Sequence, residues 1–312
     1  MPTEVALPAD RTILCADIGA TSTKAGFLDS RGELHYVDAI PTQPDPESFV
    51  DNLCALVDST LAAVRENNLT PRGLGVAVAG FLDEKRERLL YNSNLSWLEN
   101  FPLRPRLAAH FSFPVELEID SNSACMAEYL LGSGRGSRRF LCVTCGTGLG
   151  VGMTVNGQPL RFAYGCMGDI GHVLVKRDGP LCTCGGRGCA EIMVSAPALA
   201  AEYKRRAGLP DEVTLRSVIT AAQSHDPVAI SVLTEAGEWL GMAIASMANI
   251  LFPDHIAIAG GLSAAGDLLL TPAQRVFCES AALFARSQTT ISLATLGPMT
   301  TLIGAAWPFW AT

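Results

Sequence analysis

Apolar and polar positions fall along the chain in blocks whose period changes. Thr12 to Asp17 is a short apolar run that ends at Gly19, the pattern of a buried strand entering a turn. Lys24 to Leu28 reads as a second strand, and Asp29-Ser30-Arg31-Gly32 as a polar hairpin turn. From Glu47 to Asn67, apolar residues fall at Phe49, Leu53, Leu56, Val57, Leu61, Ala62 and Val64. That spacing predicts a helix, closed by Asn67-Asn68. Gly73 to Gly80 is a strand of small apolar residues ending in glycine. Residues 1–11 carry no such pattern and read as a loose leader.

Phe140 to Gly150 repeats the opening pattern: an apolar strand, a Gly-rich turn and a second strand with its own hairpin. Placing Asp17 on Thr144 puts Gly19 on Gly146, and the match drifts by two residues at the following turns. Two related halves fit this recurrence. Chance repetition of hairpin chemistry fits it too, and the pattern alone does not choose. Further on, Pro227 to Asn249 predicts the longest helix, His255 to Ala259 a strand before Gly260-Gly261, and Thr301 to Trp310 a short helix. Strands alternating with helices make the chain α/β, with a domain junction between about Asp120 and Arg138.

Composition narrows the function. The 312 residues are 48% hydrophobic and only 17% charged, enough apolar material for a full core. The net charge is −8 and no Lys/Arg stripe exists, so nucleic acid is not an expected partner. No apolar run reaches about 18 residues, and the first residues lack the basic-then-apolar signature of a signal peptide, so neither membrane insertion nor secretion is expected. Most of the ten cysteines stand singly in apolar runs, as small hydrophobes do. A reducing, cytoplasmic location fits this better than a disulfide framework.

Three turns offer phosphate chemistry, because glycine lets backbone N–H groups come close to an anion. They are Asp17-Ile-Gly19-Ala-Thr21 with Thr23 and Lys24 behind it, Cys145-Gly146-Thr147-Gly148-Leu-Gly150, and Gly260-Gly261. Each alone can be only a turn, and none matches the P-loop or the dinucleotide fingerprint. At the ends of strands in an α/β pattern, together, they point to a nucleotide. The Asp17 carboxylate suits a water of a bound Mg²⁺.

His172, Cys182, Cys184 and Cys189 form a separate cluster, with Gly185, Gly186 and Gly188 between its last two cysteines. Three sulfurs and one imidazole suit a closed tetrahedral Zn²⁺ site, which is structural because no position remains for water. A disulfide would leave an orphan thiol and strain a Cys-x-Cys pair. Asp169 and Glu191 flank this cluster and can accept from sugar hydroxyls, or stand idle at the surface. Asp120 ends an apolar segment and opens a helix-start pattern, so it reads as a helix N-cap or as a functional carboxylate.

Taken together, these residues resemble the ROK family of bacterial sugar kinases and sugar-responsive repressors. The resemblance covers nearly the whole chain and is strongest from Glu118 to Ser195. Gly168-Asp-Ile-Gly-His172 and Gly179-Pro-Leu-Cys-Thr-Cys-Gly-Gly-Arg-Gly-Cys-Ala-Glu191 look like the family signature and its zinc motif. The resemblance implies a two-lobed actin-like ATPase (ribonuclease H-like) fold with a cleft. The smaller lobe would span residues 1–122, with a helix at about 299–312 returning to it. The larger would span residues 123–298 and carry the zinc. It implies ATP held by Asp17, Gly19, Thr21, Lys24, Gly146, Thr147, Gly148, Gly260 and Gly261. Asp120 would be the general base. Gly80, Asn94, Asp120, Asp169, His172 and Glu191 would meet the sugar, and a homodimer would be expected.

Two positions depart from the family pattern: Ile119 stands where Asn is usual, and Asp169 where Glu is usual. Both fall on the sugar side. The expected reaction is therefore ATP-dependent phosphorylation of a hexose or amino-hexose, with O6 as the expected acceptor. A weak or silent sugar-binding protein is the alternative. Family repressors carry a DNA-binding module before the first phosphate motif, and the 16 residues before Asp17 are too few for one.

Overall fold

The computed structural model describes residues 8–92, 94–210 and 212–310, so the leader expected over 1–11 lies outside the described residues as far as Leu7. The chain packs as two compact units. One holds the chain up to Gly136, then Gly157–Gly168 and the segment from Met299; the other holds Ser137–Asn156 and Asp169–Pro298.

The first unit is built on β1 (Arg11–Ile18), β2 (Ser22–Leu28), β3 (Leu34–Pro41), α1 (Pro46–Glu66), β4 (Thr70–Val78), β5 (Phe81–Leu82), β6 (Leu89–Tyr91), α2 (Leu103–His110), β7 (Val115–Ile119) and α3 (Asp120–Leu131). Its main sheet has the order β3-β2-β1-β4-β7. β1 runs antiparallel to β2 and parallel to β4, which is parallel to β7. Thr12 to Ala16 are all buried, which is why β1 reads as a continuous apolar run and not an alternation. α1 begins where the Asp45 carboxylate accepts the Ser48 N–H at 2.9 Å with Pro46 behind it. Its apolar stripe, Phe49 to Val64, packs into the core with Leu14, Leu74 and Val76. The helix Thr300–Ala305 also packs on this unit, continued by a 3₁₀ turn at Trp307–Phe309. The approach is so close that a Cβ on Gly75 would stand 1.7 Å from the Ala305 carbonyl oxygen, and one on Gly304 1.8 Å from that of Ser123.

The second unit repeats the plan. It contains β8 (Arg139–Cys145), β9 (Leu149–Val155), α4 (Ala190–Val194), α5 (Ala196–Ala207), α6 (Leu215–Gln223), α7 (Pro227–Leu251), β11 (His255–Ala259), α8 (Asp267–Ser280), α9 (Leu283–Gln288) and β12 (Thr290–Leu293); the two-residue strand β10 (Gln158–Pro159), at the edge of its sheet, belongs to the segment grouped with the first unit. The sheet order is β10-β9-β8-β11-β12. β8 is antiparallel to β9 and parallel to β11, and β11 is parallel to β12. A central strand with a hairpin partner on one side and two parallel strands on the other thus occurs in both units. The strands beginning at Arg11 and Arg139 hold equivalent places, so the recurrence in the sequence marks two halves of one design.

α7 is long and apolar enough, by length and composition, to cross a membrane. The run-length reading missed this because Glu235 and Glu238 interrupt it. Here α7 is a core helix, with Val232, Leu233, Leu240 and Ile244 buried. Its glycines Gly237 and Gly241 face the Leu269 and Ala273 carbonyls of α8 at distances no Cβ allows.

Candidate functional site

In the first unit the carboxyl ends of β1, β4 and β7 lie side by side, Asp17 level with Ala77 and Ala77 with Glu118. Asp17 is next to last on β1, cross-strand from Lys24 on β2. Gly19 donates its N–H to the Ser22 carbonyl at 3.1 Å and makes the turn that leaves Thr21 exposed. Gly80 follows β4 with φ +109°, close against the Tyr91 carbonyl and Asn92. Asn94 sits in the adjoining turn, exposed, its N–H donated to Asn92 Oδ1 at 2.7 Å.

Asp120 is the first residue of α3. Ile119 takes the N-cap position and offers no side-chain bond, so Asp120 is not the cap. Its Oδ1 accepts the Ser121 N–H at 2.7 Å. The carboxyl keeps some solvent contact, yet dense protein around it raises its pKa above the ordinary carboxylate range. Burial also pushes Asp17 up to about 6, and the nearby Asp120 charge adds to this while Lys24 opposes it. Two carboxylates that feel each other, on one sheet edge beside a Gly turn, are the electrostatic centre of this unit.

In the second unit the turn Gly146–Gly148 closes with Gly146 N–H donating to the Gly148 carbonyl at 2.9 Å, and leaves Thr147 exposed. Gly146 in turn accepts the Ala196 N–H that opens α5. Gly260 ends β11 with φ +84° and packs on Cys145, so the second and third glycine motifs are adjacent. Gly261 begins the 3₁₀ turn Gly261–Ala265. Both motifs lie at the carboxyl ends of parallel strands, where open α/β sheets take ligands.

The Cys/His cluster is also in this unit. One ligand atom from each of His172, Cys182, Cys184 and Cys189 lies within 4.8 Å of all the others. Cys182 Sγ is 3.5 Å from His172 Nδ1, and Cys184 Sγ is 3.6 Å from Cys189 Sγ. A tetrahedron with bonds of about 2.3 Å to sulfur and about 2.0 Å to nitrogen has edges of roughly 3.5–3.8 Å, so the spacing fits a metal. It does not fit a disulfide, and Cys182, Cys184 and Cys189 are thiols. The Gly186 N–H, 3.4 Å from Cys184 Sγ, holds that thiol below its ordinary range, toward the thiolate a metal needs.

With Nδ1 facing the sulfurs, His172 Nε2 faces Asp169 Oδ2 at 3.6 Å and Glu191 Oε1 at 4.0 Å. The other oxygen of Glu191 accepts the Leu149 N–H at 2.9 Å, and a Cβ on Gly148 would stand 2.5 Å from it. Glu191 therefore links the cluster to the second glycine turn. The structure brings Asp169, His172 and Glu191 together.

Two findings were not read from the sequence. Ile119 is buried in the core of the first unit with Leu82 and Cys166, its Cδ1 against Gly165. Glu118, fully buried, gathers Arg86, Arg161, Trp307 and Asn122 around one carboxylate. The strand alternation puts Glu116 and Glu118 on one face, which reads as a solvent face. The partners that bury Glu118 come from distant parts of the chain.

Comparison with known proteins agrees with these features. The ROK family profile matches residues 13–311, and the chain belongs to that family. It is 32% identical to a glucokinase of Halalkalibacterium halodurans, over 96% of this chain and 95% of that one. It is likewise 32% identical to a glucokinase of Streptomyces coelicolor, over 84% and 85%. Among solved structures it resembles a ROK family glucokinase from Streptomyces griseus in complex with glucose and AMPPNP, with TM-score 0.84 and 30% identity over 95% of this chain and 98% of that one. The fold is the two-lobed actin-like ATPase fold of the ROK sugar kinases.

Proposed function

We infer that this chain is a sugar kinase that transfers the γ-phosphoryl group of ATP to a hexose or amino-hexose, at the 6-hydroxyl, with Asp120 as general base. The observation that carries the reading is the pair Asp17 and Asp120. Both stand at the carboxyl end of one sheet, both are raised above ordinary carboxylates, and the Gly19–Thr21 turn lies beside them. Glucokinase relatives over nearly the whole chain support the sugar and the nucleotide.

Phosphoryl transfer asks the protein mainly for positioning and for neutral charge around the phosphates. Asp120 accepts the proton of the attacking hydroxyl, and its raised pKa makes it a stronger base than an exposed aspartate. The Gly19 and Gly146 N–H groups close their own turns, so the amides of Thr21, Thr147 and Gly148 would take phosphate oxygens, with Lys24 adding a positive charge and Gly260-Gly261 offering bare backbone to adenosine. Asp17 would hold Mg²⁺ through water; when bound, the ion supplies charge neutralisation at the phosphates. His172 Nδ1 and the three thiolates would hold Zn²⁺ as a structural ion. That leaves Nε2 of His172 a donor, with Asp169 and Glu191 as acceptors for sugar hydroxyls. Gly80 and Asn94 stand where the family meets its sugar.

A coupled ADP-release assay over hexoses, 2-acetamido hexoses and their epimers tests the reading. Sugar-dependent ADP release, with the phosphate on O6 by NMR, is expected. Sugar binding without turnover by any of them would leave a silent binding protein and overturn the kinase.

A further inference from the structure

The carboxylate of Glu118 is fully buried and accepts from five donors. Its Oε1 takes the Ile119 N–H and the Asn122 amide, each at 3.0 Å. Its Oε2 takes Arg86 Nη1 at 3.4 Å, Trp307 Nε1 at 3.2 Å and, in close contact, Arg161 Nη2. The second hydrogen of the Asn122 amide goes to the Gly165 carbonyl at 2.8 Å. Both neighbours of that amide are acceptors, so its nitrogen is fixed toward them.

Asp120 stands between the two residues that Oε1 holds. α3 has no side-chain cap of its own, and the Glu118 oxygen binds the Ile119 N–H just ahead of its first turn. The opposite oxygen ties that point to three separate parts of the first unit: the loop at Arg86, the segment Gly157–Gly168 through Arg161, and the 3₁₀ turn at Trp307. Arg161 also lies over the Trp307 ring, 5.7 Å from its centre, so the cation and the indole hold each other.

We propose that Glu118 is a positioning residue for Asp120: through one carboxylate it fixes the start of α3 against Arg161, Arg86 and Trp307, and so sets where the base carboxyl points. The inference rests on the kinase reading for its effect on rate, but not for its effect on the backbone. General-base catalysis needs hydrogen-bond reach to the reacting hydroxyl, and a misplacement of about 1 Å can cost on the order of 10²-fold. Glu118 touches no reacting atom. It acts by geometry.

Glu118→Gln is the test. Its amide has the shape of the carboxylate but one acceptor instead of two. Whichever way it turns, an NH₂ faces donors: the Ile119 N–H and Asn122 amide on one side, the guanidinia and indole on the other. The expected result is a fall in kcat of about tenfold or more with the KM for ATP within about twofold. Backbone hydrogen exchange over residues 116–126 should quicken by about tenfold while the second unit is unchanged. Trp307→Phe removes one donor and keeps the ring, so it should show the same changes in weaker form.

A folded Glu118→Gln protein with natural kcat, or one whose loss lies wholly in KM, overturns the proposal. Should that variant not fold, Trp307→Phe decides: unchanged kcat and unchanged exchange over 116–126 overturn it equally. A natural chain inert toward every sugar defeats the kinase reading instead, and the exchange measurement then decides the role of Glu118.

Discussion

Asp17 and Asp120 are drawn out of water by folding, and the Asp120 charge makes Asp17 harder still to ionise. For Asp17 the consequence is a stability that depends on pH. Its folded pKa of about 6 lies above the ordinary 3.8, so the folded state holds the proton more tightly than the unfolded one. The stabilisation is whole below about pH 4 and is lost as pH rises through about 6. Asp17→Asn removes a charge that the folded state carries at a cost above pH 6, so the variant should unfold later than the natural chain there, by up to about 3 kcal/mol. The two curves should meet below about pH 4, which denaturant unfolding at several pH values checks. Asp120→Asn keeps shape and loses basicity, so kcat should fall by at least about 10²-fold with fold and zinc content retained. In the natural chain kcat/KM should drop on the acid side, at a pH above the ordinary carboxylate range, because Asp120 must be unprotonated to act. Near-normal kcat in Asp120→Asn would leave this residue without a catalytic part.

Among the elements, the loop from Asp169 to Glu191 carries both the proposed zinc cluster and the proposed sugar acceptors. Cys184 is the exposed thiol of that cluster and the simplest to remove. Cys184→Ala should bind about one zinc fewer per chain by metal analysis and lose sugar binding by calorimetry. ATP binding should survive, since Asp17 to Lys24, Gly146 to Gly148 and Gly260-Gly261 lie outside the loop. Unchanged sugar affinity in a folded, zinc-free variant would separate the metal from recognition.

This loop was readable because its donors lie within 20 residues of one another, and ligand chemistry fixes their meaning. The same holds for β1, β8 and β11, whose apolar runs need no partner to be recognised, and for α1, whose apolar stripe and Asn67 end are legible although its Asp45 cap was not read. Other parts were hidden. β3 is almost wholly exposed and shows no period to find. Ile119 read as a change in a sugar contact, yet its side chain completes an apolar cluster with Leu82 and Cys166, which only the register of β7 against β4 decides. Glu118 was invisible because the groups that answer it, Arg86, Arg161 and Trp307, are separated by up to 189 positions from it.

At the scale of the molecule, the two units share one sheet plan but not one relation to the chain. The second is nearly continuous, residues 137–298 apart from the excursion Gly157–Gly168. The first is assembled from three pieces, and its last piece supplies Ala305, Phe309 and Trp307 to surfaces made by β4 and β7. A fragment ending at Gly136 should therefore remain unfolded or loosely packed by circular dichroism and near-ultraviolet signal. Adding a peptide of residues 299–312 should restore order. A cooperatively folded 1–136 fragment would show that the returning helix is an accessory.

The helix that packs against Gly75 and Ser123 also sets a timetable for the newborn protein. A ribosome releases the amino end first, and simple domains follow that order. Here the first half leaves the tunnel with the bare backbone at Gly73 and Gly75 uncovered, and its cover, which begins at Thr300, is made long after Gly136. At 5–20 residues per second the delay is roughly 10–30 s. During it the later half can close while the earlier half waits, so the order of maturation runs against the order of translation. An apolar groove left open that long is where a chaperone would be needed.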